Sequence, residues 1–360
     1  MATVALPLTA SQSETLKLSK VAVFPRLRAL AWDGDVLYAS RGYELLRAGI
    51  TSPSAPVHWE CVASVQPSFW RLLTSSSPLA SRLFRDGFHA LGVLDSGELV
   101  AAIPKPIVTL SPGAREFRIT HQISRGTRPL HFAVTSNNHI FWGEYFDNPQ
   151  RDEVHIYAST DGMRWDVAYT FPKHTIRHVH NIIYDKWEDC LWVLTGDDGS
   201  ECRIIRASCD FRDADVVLSG SQQVRAAAAI PMQDGLYFSS DTPLERNHVY
   251  HLDRRGSLTR LSVLSSSSIY GCRVGEHLFF STMVEPSGAN REREVCVYGS
   301  ADRTQFRPLL SWEKDHWPMK LFQYGNAMLP DGNNDGGLLA LTTVAVTGAD
   351  CETSLWRISQ

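Results

Sequence analysis

A short motif, Ser159-x-Asp161-Gly162-x-x-Trp165, recurs in weaker form along the chain, and its spacing limits the folds open to it. Echoes lie at Ser111-Pro112-Gly113 leading to Phe117, at Ser208-Cys209-Asp210-Phe211, at Asp253-Arg254-Arg255-Gly256, and at Ser300-Ala301-Asp302-Arg303 leading to Phe306. The serines at 111, 159, 208 and 300 are separated by 48, 49 and 92 residues, with the Asp253 turn inside the last interval. Between these turns run short segments rich in Val, Ile, Leu, Tyr, Phe and Trp. Hairpin-type clusters bound them, such as Asp33-Gly34-Asp35, Asp95-Ser96-Gly97, Ser136-Asn137-Asn138, Gln233-Asp234-Gly235 and Pro330-Asp331-Gly332. Helical periodicity is confined to about 68–85, where Phe69, Leu72, Leu73, Leu79, Leu83 and Phe84 stand among Ser, Arg and Pro.

A repeat of about 50 residues containing four strands cannot bury both faces of its own small sheet, so the units must stack on one another. Laid in register, the innermost strands fall near 27–33, 88–94, 130–136, 177–185, 225–232, 268–274 and 321–329. The expected fold is all-β: a single β-propeller domain over 1–360, with seven four-stranded blades and one short helical insertion near 68–85. Six blades is the alternative count. The carboxyl end offers only three strands, finishing at Ser354-Leu355-Trp356-Arg357-Ile358. The segment 16–24 is therefore expected to supply the last outer strand and close the ring, which removes an exposed edge.

The near balance of 35 Lys and Arg against 39 Asp and Glu gives a formal charge of −4, which removes the electrostatic case for nucleic acid or an anionic membrane surface as partner. No apolar run is long enough to span a bilayer, and residues 1–7 carry no basic residue before a short apolar run. Neither a membrane span nor a signal peptide is expected, and the location implied is cytoplasmic. Seven cysteines are scattered without any CxxC pair, as expected of reduced thiols. No GxSxG, P-loop or dinucleotide fingerprint occurs where a strand passes into a helix, which sets aside acyl-hydrolase, nucleotide and nicotinamide chemistry.

The Ser159-x-Asp161-Gly162-x-x-Trp165 motif resembles the Asp-box (BNR repeat) of sialidase-like β-propellers. In that family the box closes the turn between the third and fourth strands of a blade, the Asp bonding turn amides and the aromatic packing between blades. The resemblance implies a glycan-active enzyme or a non-enzymatic glycan- or protein-binding propeller. Sialidases carry an arginine in an Arg-Ile-Pro-Ala-Leu segment at the first inner strand. Arg26-Leu27-Arg28-Ala29-Leu30 looks similar, which makes Arg26 the counterpart, with Arg177 and Arg225 as partners.

In a propeller, the connections into the inner strands and the loops after the second strands share one face. That face collects Arg26, Arg28, Arg128, His131, Arg177, His178, His180, Arg225, Tyr270, Gln323 and Tyr324. The loops add Glu144, Asp147, Asp197, Asp198, Glu201, Asp241, Glu245 and Glu285. Guanidinium groups bind carboxylates and sulfates through paired, charge-assisted hydrogen bonds, so the ligand expected is an anionic oligosaccharide or polysaccharide. Arg26, Arg128, Arg177, Arg225, Asp241 and Glu245 are candidates for holding it, with Trp317 stacking on a sugar ring. Proton transfer would fall to Glu285, Asp197, His178, Tyr270 and Tyr324.

In Arg177-His178-Val179-His180-Asn181, strand alternation turns both histidines the same way. Three readings are open to the pair: acid or base, ligands of a divalent metal ion beside Asp197, Glu144 or Glu285, or hydrogen-bonded structural residues. No cofactor other than such an ion is indicated. The first functional expectation is hydrolysis of a glycosidic bond next to an anionic sugar. The alternatives are a lyase using His, Tyr and Arg with or without a metal, and a non-catalytic binding propeller. The helical insertion lies on the same face and could roof the funnel.

Overall fold

The alternating apolar segments do form sheets, and the turn clusters do close hairpins. The computed structural model describes residues 16–50 and 55–359, so residues 1–7, weighed above for a leader, lie outside the described residues. Seven antiparallel four-stranded sheets form a ring, a seven-bladed β-propeller. The inner strands of blades one to seven are Arg28–Gly34, Ala90–Val93, Ala133–Val134, His178–Asp185, Ala226–Met232, Ser268–Val274 and Asn326–Met328. Closure is as expected: Lys17–Pro25 pairs antiparallel with Glu352–Ser359 as the outer strand of blade seven.

One strand was not anticipated. After the inner strand of blade seven, Asp331–Asn334 leaves its own sheet and runs parallel to Ala31–Gly34 of blade one. Gly332 permits this approach: its φ is +87° and a Cβ there would lie 2.1 Å from the Trp32 carbonyl oxygen. The excursion carries the Asp331 carboxylate to His131 of the chain entering blade three, with Oδ2 2.9 Å from Nδ1.

The cores lie between blades. Trp142 stacks on Tyr157 at 4.4 Å, and Trp165 packs against Phe132 and Trp142. Phe279 and Phe280 are fully buried between blade six and its neighbours, each such side chain contributing ~1.5–3 kcal/mol. The recurrent turns hold themselves together as their sequence suggests. Ser159 Oγ accepts the Gly162 amide at 2.8 Å, and Asp161 Oδ1 accepts those of Met163 and Arg164 at 2.7 and 3.1 Å. Thr109 of blade two donates to the Gly162 carbonyl at 2.6 Å, linking the turn to the next blade. Asp210, Asp253 and Asp302 accept turn amides in the same way. At Asp302 these bonds outweigh the opposing effect of burial and bring the carboxyl down to about 2.

The insertion is a hairpin of two short helices, Phe69–Ser75 and Pro78–Phe84. Ser77 caps the second, Pro78 opens it, and Arg85 ends it in the left-handed region. Buried Arg82 anchors it to the connection into blade seven through Asp315 at 2.6 Å and the Phe322 carbonyl, and to a turn of blade seven itself through Asp350 at 2.9 Å. Asp86 ties it to blade one by accepting from Arg71, Thr74 and Tyr43.

Candidate functional site

The face that receives the inner strands carries two chemically different clusters. Over blades four and five, Asp197 is a hub. It follows the second strand of blade four, Cys190–Gly196, and its Oδ1 lies 3.2 Å from His180 Nε2 and 3.6 Å from His178 Nε2. Arg225 donates to the same oxygen through Nε and Nη2 at 3.2 and 3.1 Å. Arg177 Nη1 reaches Oδ2 at 3.3 Å and is shared with Asp147. Burial opposes ionisation of Asp197, but the Arg225 and Arg177 guanidiniums bonded to it favour the carboxylate.

His178 and His180 do meet, with 3.1 Å between their Nε2 atoms, but not through simple strand alternation. Register with the second strand slips between Val179 and Asn181, so His180 is the extra residue of a β-bulge. Bulges re-aim side chains, and blades one, five and six shift register at the matching point of their inner strands.

Asp241 occupies in blade five the position that Asp197 holds in blade four. It is buried, Oδ2 lies 3.7 Å from Arg225 Nη2, and Oδ1 has no hydrogen-bond partner. Burial pushes its carboxyl up to about 7, with Arg225 opposing and Glu285 and Asp197 reinforcing the shift. Both acids border one guanidinium nitrogen and so lie no more than about 7 Å apart. Half-buried Glu285, from the equivalent loop of blade six, adds its charge to Arg225, Asp241 and Tyr145. Tyr145 lies over His178 with ring centres 4.2 Å apart, and burial followed by Asp197 and Asp241 raises its phenol.

The second cluster lies toward blades one to three. Arg28 donates through Nη1 to His89 Nδ1 at 3.0 Å and through Nη2 to the His89 carbonyl at 3.2 Å, while His89 Nε2 bonds the Arg85 carbonyl at 2.7 Å. A carbonyl only accepts, so His89 carries its hydrogen on Nε2 and is neutral. Burial and then Arg128 and Arg28 hold its pKa well below the ordinary value. Arg28, Arg85 and Arg128 have no carboxylate at ion-pair distance among the described residues. Burial, then repulsion from Arg28 and Arg85, brings Arg128 down to about 9. Tyr270 feels Arg28, Asp331 and Arg128, and burial raises its phenol. A cavity of about 440 Å³ opens beside this group under the helical hairpin, lined by Arg26, Arg28, Arg82, Arg85 and His89 among others. Tyr145 joins the two clusters, because Arg128 also feels its phenol.

Several sequence candidates lie elsewhere. Arg26 has φ +61° and points to the Ser76 carbonyl, so Arg26, Arg177 and Arg225 do not converge on one point. Exposed Glu245 accepts from Gln223, and Glu144 is buried against Arg125 and the His155 amide. Asp198 and Glu201 pair with Arg151. Trp317 packs on His316 and Phe322 in the connection to blade seven, where half-buried Tyr324 also lies. Tyr145, His89 and Arg85 were missed. The legible signal was Tyr145 beside Glu144 at the loop position equivalent to Asp197.

No known family and no curated protein sequence matches the chain. Solved structures do. A chain in the crystal structure of the mitotic checkpoint complex is similar with a TM-score of 0.58 at 11% identity, covering 99% of this chain and 100% of that one. The WD40 β-propeller domain of Doa1 is similar with a TM-score of 0.55 at 10% identity, covering 96% of this chain and 98% of that one. At such identities the likeness shows the propeller fold alone. Among the described residues no helix is long and apolar enough to cross a membrane.

Proposed function

We propose that this propeller is an enzyme that cleaves a glycosidic bond beside the acidic group of a short anionic sugar chain. One combination carries the reading: Arg128, one of three guanidiniums without a carboxylate among the described residues, and the acids Asp197 and Asp241 all lie within electrostatic reach of Tyr145, and burial drives Asp241 toward its protonated form. Arg28, Arg85 and Arg128 would take the sugar's carboxylate, which relieves their mutual repulsion. Asp241, half protonated near pH 7, would protonate the departing oxygen. Glu285, which makes no ion pair among the described residues, would activate water. Asp197, held by Arg177 and Arg225, orients these groups rather than attacking the sugar. The Asp-box-like turns support kinship with sialidase-like propellers, although the arginine arrangement expected from that kinship is not assembled around Arg26.

Elimination in place of hydrolysis is a second reading, in which the uncharged His89 imidazole would exchange the bond its Nδ1 accepts from Arg28 for the substrate's proton. The test is incubation with uronate, sialate and sulfated oligosaccharides, with product analysis and thermal melts. A ligand at one hundred times its dissociation constant adds ~2.7 kcal/mol. New reducing ends without the near-ultraviolet absorbance of an unsaturated uronate indicate hydrolysis, and new reducing ends with it indicate elimination. Stabilisation without product would reduce the protein to a binder, and no effect from any acidic sugar would remove the reading.

A further inference from the structure

The geometry points to a binding site for one divalent transition-metal ion formed by His178 Nε2, His180 Nε2 and Asp197 Oδ1. It goes beyond the acidic-sugar reading and does not depend on it. The argument begins with the hydrogens. His178 Nδ1 lies 3.1 Å from the Phe146 carbonyl oxygen and His180 Nδ1 lies 3.0 Å from that of Ala226. Both carbonyls can only accept, so each imidazole carries its hydrogen on Nδ1 and presents a bare lone pair at Nε2.

These two lone pairs face each other at 3.1 Å, and a carboxylate oxygen, itself only an acceptor, lies 3.2 and 3.6 Å from them. Three acceptors with no hydrogen between them repel one another unless something positive lies among them. Ligand atoms about 2.1 Å from a shared ion lie about 3.0 Å apart at right angles and about 3.4 Å apart at tetrahedral angles; two of the observed separations, 3.1 and 3.2 Å, fall between those values and the third, 3.6 Å, lies just beyond them.

The surroundings are those of a metal centre. Each histidine is fixed through its far nitrogen by a backbone carbonyl, the outer-shell arrangement that sets ring orientation and tautomer. The bulge at His180 is what brings the second nitrogen into place. Arg225 and Arg177 fix the carboxylate, and their charge is countered by Asp147, Asp241 and Glu285 beside Asp197. Two imidazoles and one carboxylate suit zinc, manganese, iron or cobalt, and not magnesium or calcium, which prefer all-oxygen sites. The rival occupant is a proton, which would have to be held by imidazoles that are 5% and 4% exposed.

The experiment uses tag-free full-length protein stripped with a chelator and titrated with Co²⁺, with visible absorption recorded. One equivalent should give d–d bands that Zn²⁺ abolishes, and Zn²⁺ should raise the melting temperature. His178→Ala and His180→Ala should lose the bands while keeping the far-ultraviolet spectrum of a folded propeller. The wild-type spectrum serves alone if those variants do not fold. Arg28→Gln should keep the bands, so that a failed ion site and a failed sugar site are told apart. Absence of saturable Co²⁺, Zn²⁺, Mn²⁺ or Fe²⁺ binding to the stripped wild type would overturn the site, as would bands that survive in both histidine variants.

Discussion

Replacement of Asp241 by Asn gives a stability change whose dependence on pH follows from the structure. In the fold the carboxyl titrates at about 7, against 3.8 when exposed, chiefly because it is buried. Between those values the native state holds a proton that the unfolded chain has lost. Stability therefore falls as pH rises through that window and is flat above it. At ~1.36 kcal/mol per unit, the wild type loses on the order of 4 kcal/mol from this group alone. Asn has nearly the same shape and no charge, so Asp241→Asn escapes the loss. Urea unfolding of both proteins, stripped of metal, at steps between pH 4.5 and 8 gives the difference directly. That difference should move in the variant's favour by about 3 kcal/mol up to pH 7 and then level. A constant difference would refute the reasoning. A variant that loses more at pH 7.5 than at pH 5 would show instead that Asp241 is a stable anion paired with Arg225.

Other expectations test separate parts of the account. Arg128→Gln should keep or raise the melting temperature, because it removes repulsion with Arg28 and Arg85, yet weaken an acidic-sugar ligand by about tenfold or more in a binding titration. Asp185→Ala should cost about 3–5 kcal/mol in chemical denaturation. It strips the fully buried carboxylate that accepts from Trp192, the Trp187 amide and Arg254. Removing Lys17–Pro25 exposes the edge of Glu352–Ser359, and size-exclusion chromatography should then show association of a chain that otherwise closes on itself.

The blades were legible because period-two alternation and turn chemistry are local. Asp161, Asp210, Asp253 and Asp302 bond amides within four residues of themselves, so their role could be read from spacing alone. Ring closure was legible from a count of strands. Asp331–Asn334 was not, because parallel pairing with Ala31–Gly34 has no local signature beyond a Pro-Asp-Gly turn. The hub at Asp197 was legible from the loops that adjacent blades bring together. The arginine cluster was only half so: Arg128 was singled out, but Arg26 was preferred over Arg28. The left-handed backbone at Arg26 sends one outward and leaves the other on His89, a difference no pattern of residue types records. The bulge at His180 lies in the same class, since one extra residue in a strand is a tertiary choice.

The account stands on the claim that Arg28, Arg85 and Arg128 form an anion site beside a working acid. The direct measurement is calorimetric titration of a uronate disaccharide into the wild type and into an Arg28→Gln, Arg128→Gln double variant at pH 6. Saturable one-to-one binding to the wild type, lost in the variant while its melting temperature holds, is the expected result. Equal binding to both proteins, or none to either across the panel of acidic sugars, would contradict it.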